Sequence, residues 1–217
     1  MEALLAQMVL VTGSLALLFL LALHFASPEF GPSWRMISEY ALGRHNGLLI
    51  AFFLFWALSS LLLSVLLWNI VSSSWAKVGV AILVVSAMGE IMGGLFNLKH
   101  KLHGAAFAIG VPSLPIAALL IGYHLAGKAG WSSHGSIIIA VSHATWVSVV
   151  AMGVAMATMF AGFKRAGIAM GPGIKPPENV PQGVIALGGY ANRFLVLCDI
   201  GWLMLIAWIY LSFRQPA

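Results

Sequence analysis

Apolar residues are concentrated in six long stretches that are separated by short polar segments. The stretches cover about residues 4–23, 47–68, 76–96, 102–126, 134–162 and 192–213. A helix needs about 20 residues to cross the hydrocarbon core of a bilayer, and each stretch meets that length. The pattern predicts an all-α fold, a polytopic membrane protein built as a bundle of six transmembrane helices, with residues 1–217 forming a single transmembrane domain.

Composition agrees with this prediction and excludes a soluble globule. Hydrophobic residues make up 61% of the chain and charged residues only 8%, whereas soluble domains average about 25% charged residues. The formal charge of +5 comes from scattered bases without a basic run, so the expected partner is the lipid bilayer and not a nucleic acid. Cys198 is the single cysteine, which excludes an intramolecular disulfide. The oligomeric state stays open.

The polar segments differ between the two sides of the predicted bundle. The first, third and fifth loops, which we call the polar face, contain eight Lys and Arg residues, against three on the other side. This excess predicts a cytoplasmic polar face with both chain ends outside. Four of the eight bases could also be site residues. Without them, the polar face has four Lys and Arg residues against three on the other side. Residues 166–183, rich in Pro and Gly, predict an irregular loop between helices five and six.

Two acidic residues, Glu90 and Asp199, lie inside predicted spans. An acid at mid-bilayer costs about 2.5 to 3.5 kcal/mol on insertion scales, so such a residue usually faces the bundle interior and has a partner. Gly89 and Gly93 flank Glu90 at a spacing that permits close helix contact. Glu90 and Asp199 are therefore candidate acid–base residues, and the alternative is that both only hold helices together.

Further candidates lie on the polar face. His103 opens the fourth span and is a candidate for proton transfer, because histidine titrates near neutrality. Glu39 is a candidate acid, with a structural role as the alternative, while Ser38 is expected to cap a short helix. Candidate substrate-binding residues are the three polar side chains that could hold a head group: Arg44, Asn97 and Arg193.

The positions of the histidines do not identify a metal site or a haem site. His100 and His103 have an i, i+3 spacing compatible with two metal ligands, but no third ligand is identified. His143, His124 and His134 suggest bis-histidine haem, but His124 and His134 lie at opposite ends of one short turn, so the depths argue against it. No metal ligands are therefore assigned, and the cofactor is left unknown.

Several short motifs resemble those of the family called domain of unknown function 998, bacterial and archaeal integral membrane proteins. The motifs are Ile-Ser-Glu-Tyr-Ala-Leu-Gly at residues 37–43, Gly-Gly-Leu-Phe at 93–96, Leu-His-Gly at 102–104, and Arg193. The likeness extends over about residues 5–213 and implies a six-helix bundle in a prokaryotic plasma membrane. The family pattern continues after Gly-Leu-Phe with a proline and an acid, where this chain has Asn97, Leu98 and Lys99. That departure removes a carboxylate from the third loop.

Three functions are compatible with these residues. The first is an enzyme acting on a lipid or isoprenoid at the membrane surface, with His103, Glu39, Glu90 and Asp199 as acid–base residues. The second is a small transporter or lipid-binding protein in which the two intramembrane acids accept protons or cations. The third is an accessory or structural membrane protein, in which the acids hold helices together.

Overall fold

The computed structural model describes residues 1–168, 177 and 179–213. The described residues form six long helices: α1 Glu2–Ala26, α2 Asn46–Ile70, α3 Ser74–Leu95, α4 His103–Ala126, α5 Gly135–Arg165 and α6 Gly188–Ser212. All six are long and apolar enough to cross a membrane. The predicted all-α fold of six membrane-spanning helices is confirmed, and the chain is a multi-pass integral membrane protein.

The helices form a ring in chain order. Each helix packs against the next one along the chain, and α1 packs against α6 to close the ring. α6 also touches α2 and α4 and is the most buried of the six. Short connections between successive helices produce this order, because neighbours in the chain then become neighbours in space.

Small residues allow the closest approach between helices beside Glu90. A Cβ added to Gly89 of α3 would overlap the backbone of Gly110 in α4, so only glycine permits this contact. Gly93 lies against the ring of Phe53 in α2, and Gly94 lies against the Cβ atom of the same residue. The close helix contact predicted from the glycine spacing is present, and it places Glu90 between α2, α3 and α4.

The first loop packs tightly on the start of α6. The loop includes a short 3-10 helix, Ile37–Leu42, which we call the loop helix. Gly189 lies directly against the backbone of Trp34 and Arg35, and Tyr190 donates its N–H to the carbonyl of Ser33 at 3.1 Å. α6 therefore begins at Gly188, four residues before the predicted start, because its first turn is supported by the loop.

The segment between α5 and α6 covers residues 166–187. The predicted loop at 166–183 falls partly outside the described residues, because 169–176 and 178 are not among them. Lys175 and Arg214, which entered the count of loop charges, also lie outside the described residues.

Candidate functional site

A cavity of about 100 Å³ lies between α2, α3, α4 and α6, beneath the loop helix. Its walls are mainly apolar and aromatic, with Phe52, Phe53 and Trp56 from α2 and Phe107 from α4. Phe107 lines the cavity and is also 50% exposed on the bundle surface. The cavity thus extends to the lipid-facing side of α4, and apolar walls with a few polar groups are typical of ligand sites.

Glu90 lies in the cavity wall and is only 4% exposed. The hydroxyl of Ser60 on α2 donates to Oε1 and Oε2 of Glu90 at 3.2 and 2.9 Å. The hydroxyl of Ser86, one turn earlier on α3, donates to Oε1 at 3.0 Å. Glu90 is therefore held by two neutral donors, and no described base pairs with it.

Asp199 of α6 lines the same cavity and is 1% exposed. Its Oδ1 atom has no hydrogen-bond partner among the described residues. The carboxyl groups of Asp199 and Glu90 are close enough to interact electrostatically. Ionising both would place two negative charges in one apolar cavity, which is costly. Both acids thus line one cavity, and Oδ1 of Asp199 can accept a hydrogen bond from a polar ligand there.

His103 is the first residue of α4 and lines the mouth of the cavity. Its Nδ1 atom lies 2.8 Å from the carbonyl oxygen of Phe96. A carbonyl only accepts hydrogen bonds, so Nδ1 carries the proton and Nε2 is the basic nitrogen. His103 is therefore positioned as a base at the cavity entrance.

His100 is not part of this arrangement. Its ring stacks on Phe96, with centroids 4.3 Å apart, and it is exposed outside the cavity. Within the described part of the chain, no three His, Cys, Asp or Glu side chains are grouped so that they could hold a metal ion.

Glu39 is engaged within the first loop. Its Oε2 forms an ion pair with Arg35 at 2.7 Å, and its Oε1 accepts the backbone N–H of Met36 at 2.8 Å. Glu39 thereby stabilises the first turn of the loop helix and does not line the cavity. The prediction that Ser38 caps this helix is wrong. The N-cap is Met36, and Ser38 lines the cavity.

Arg193 is buried near the start of α6 and uses its guanidinium within the protein. Nε donates to Nε2 of His24 at 2.7 Å, and Nη1 donates to the carbonyls of Arg35 at 2.7 Å and Gly189 at 2.9 Å. Nη2 donates to the hydroxyl of Tyr40 at 3.3 Å. Arg193 therefore joins α1, the first loop and α6, and it is not among the residues that line the cavity.

Tyr40 of the loop helix completes this network. Its hydroxyl donates to the carbonyl of Phe30 at 3.0 Å while it accepts from Arg193. Burial raises the pKa of the Tyr40 phenol, which opposes the lowering effect of the Arg193 charge. A neutral phenol can donate and accept at once, as this position requires.

The other two predicted substrate-binding residues lie away from the cavity. Arg44 is exposed just before α2. Asn97 is exposed in the third loop, where its Oδ1 accepts the N–H of Lys99 at 3.0 Å. The structure thus brings together Glu90, Asp199 and His103, and leaves Arg44 and Asn97 outside this group.

Several residues of the site were not predicted from the sequence. Ser86 has a recognisable signal, because it precedes Glu90 by four residues on one helix. Ser60 and Trp56 have none, since their position depends on how α2 packs against α3. Asn192 faces the cavity, and its Oδ1 accepts the N–H of Ile37 at 3.0 Å, which ties the loop helix to α6.

Comparison with known proteins gives one family assignment. No curated protein and no solved structure matches this chain. A family model described as Protein of unknown function (DUF998) matches residues 10–209, a range that includes every residue of the cavity. This multi-pass integral membrane protein therefore belongs to the DUF998 family.

Proposed function

We propose that this protein binds a lipid or isoprenoid in the cavity and carries out acid–base chemistry on it. The observation that supports this function best is the pair of buried carboxyl groups, Glu90 and Asp199, in one mainly apolar wall. A purely structural acid needs partners, yet Oδ1 of Asp199 has none among the described residues. Ionisable groups kept inside a membrane are functional candidates by default.

In this proposal Glu90 and Asp199 form the acid–base pair, and His103 exchanges protons at the entrance. The Ser60 and Ser86 hydroxyls hold the Glu90 carboxyl in place. Glu39 and Arg193 act at a distance, because they hold the loop helix over the cavity. Apolar walls and the exposed edge at Phe107 suit a ligand that enters sideways from the bilayer.

An accessory or structural role is the second candidate, and one contact favours it. The hydrogen bonds from Ser60 to Glu90 join α2 to α3, as a polar contact that only holds helices together would do. Removal of one carboxylate distinguishes the two functions. An accessory role predicts a loss of stability alone, whereas a ligand site predicts a loss of bound lipid.

The test compares bound lipid in matched variants purified in a mild detergent. Native mass spectrometry and lipid extraction are applied to wild type, Glu90→Gln, Asp199→Asn, and the control Glu29→Gln, whose side chain is exposed. We expect a specific lipid in wild type and in the control, and its loss from both cavity variants. Equal lipid in all four proteins, with Glu90→Gln less stable, would overturn the proposal in favour of the accessory role.

The membrane concerned is proposed to be the plasma membrane of a prokaryotic cell, as the resemblance to bacterial and archaeal proteins implies. Fractionation of the native host, with immunodetection of the chain, tests this placement. Recovery in any fraction other than the plasma membrane would contradict it.

A further inference from the structure

The charge of the cavity wall restricts the head group that it can hold. Among the described residues that line it, the ionisable ones are Glu90, Asp199 and His103, and none is Lys or Arg. Arg193, which is buried near the start of α6, already donates to His24, Tyr40 and two carbonyl groups. A phosphate in this cavity would face two acids without a compensating cation, which is unfavourable.

Two polar atoms in the wall have no partner in the described part of the chain. One is a donor, the indole Nε1–H of Trp56, whose side chain is 7% exposed. The other is an acceptor, Oδ1 of Asp199. Buried polar groups are rarely left without a hydrogen bond, and each such exception needs an explanation. Both residues line the same cavity, so a ligand bound there is a candidate partner for each atom.

We propose that the head group bound here is a neutral hydroxyl, so that the ligand is a long-chain or isoprenoid alcohol and not a phosphorylated lipid. This inference rests on the proposed function. A hydroxyl oxygen accepts from Trp56 while its hydrogen is donated to Asp199. An ether lacks the hydrogen, and an ammonium group lacks an acceptor, so neither satisfies both atoms. The apolar walls then contact the part of the hydrocarbon chain nearest the hydroxyl, and the rest of the chain extends past the exposed Phe107 into the bilayer.

Four probes with the same hydrocarbon chain test the head group directly. Farnesol, farnesyl methyl ether, farnesyl phosphate and farnesylamine are titrated against the delipidated full-length protein, and affinity is measured by native mass spectrometry. We expect farnesol to bind about tenfold more tightly than the phosphate and about fivefold more tightly than the ether, as the loss of one hydrogen bond implies. This ranking is measured on wild type and needs no variant to fold.

A matched pair of variants locates the contact. Trp56→Phe removes the indole N–H but keeps an aromatic ring, and it should weaken farnesol binding about fivefold. Trp68→Phe is the same change on the same helix at an exposed position, and it should leave the affinity unchanged. Equal effects of the two variants on farnesol binding would overturn the assigned contact.

The outcomes separate this inference from the proposed function. If a bound lipid depends on Glu90 and Asp199, but the phosphate or the amine binds as tightly as the alcohol, the head-group inference fails and the proposed function stands. If no lipid and no probe depends on these two acids, the proposed function fails, and the inference fails with it.

Discussion

Nε of Arg193 donates a hydrogen bond of 2.7 Å to Nε2 of His24, and this bond joins the polar-face ends of α6 and α1. Because Nε2 accepts, the proton of the neutral imidazole is on Nδ1, which lies 2.6 Å from the carbonyl of Leu20. A neutral imidazole is required here, since a charged one would face the guanidinium. The bond closes the helix ring next to the first loop.

Replacement of His24 by Ala should therefore destabilise the protein. The change leaves a buried guanidinium N–H without its acceptor, at an expected loss of about 1–3 kcal/mol in the free energy of unfolding. Thermal denaturation in detergent measures the effect. His100→Ala, at an exposed histidine, is the control. Equal melting temperatures for the two variants would show that the His24–Arg193 bond does not stabilise the ring.

The hydroxyl groups around Glu90 provide a second prediction. Ser60→Ala removes a donor to this buried carboxyl and should lower the free energy of unfolding by about 1 kcal/mol. The double variant Ser60→Ala/Ser86→Ala should lose more than either single variant, because it removes both donors. Ser64→Ala is the matched control on α2, since that hydroxyl donates only to the backbone carbonyl of Ser60. A loss in the control as large as in Ser60→Ala would contradict the prediction.

Gly89→Ala tests the closest helix contact. The added methyl group overlaps the backbone of Gly110, so α3 and α4 must separate, at an expected cost of about 1–3 kcal/mol. Gly153→Ala in α5 is the control, because a Cβ there meets nothing within 4 Å. Thermal unfolding of both variants measures this cost. A Gly89→Ala protein as stable as Gly153→Ala would show that α3 and α4 are not closely packed.

Glu39 provides the clearest distinction between a chemical and a structural role. Glu39→Gln weakens the ion pair with Arg35 and the contact with the Met36 N–H, and the expected loss of stability is about 1 kcal/mol. Lipid bound per folded protein should stay unchanged, because Glu39 does not line the cavity. Lipid extraction and thermal unfolding are compared with those of Glu29→Gln. Loss of lipid from a stable Glu39→Gln protein would make Glu39 part of the site.

Arg44→Ala and Asn97→Ala should leave ligand binding unchanged. Both side chains are exposed and outside the cavity wall. Titration with the farnesol probe, compared with Trp56→Phe, measures the effect. A loss of affinity in either variant comparable to that of Trp56→Phe would return that residue to the list of ligand contacts.

The sequence predicted the six helices because their apolar length is a local property of the chain. It also singled out three candidates that line the cavity: Glu90 and Asp199 as acids inside apolar stretches, and His103 as a histidine that opens a span. The role of Arg193 was not predictable: its four partners come from α1, the first loop and α6, and only the packed ring brings them together. The sequence did not indicate a role for Trp56 either, because an indole N–H without a partner is a property of the folded protein alone.

The closed order of the helix ring also constrains how the protein is made. Helices α1 to α5 each pack against the preceding or following helix in the chain. α6 carries Asp199 and is the last of the six helices in the chain, so the helices that form the other walls of the cavity are synthesised before it. Insertion of an acid near mid-bilayer is unfavourable for a lone helix. The wall of the cavity is therefore complete only when α6, the last of the six helices in the chain, is in place.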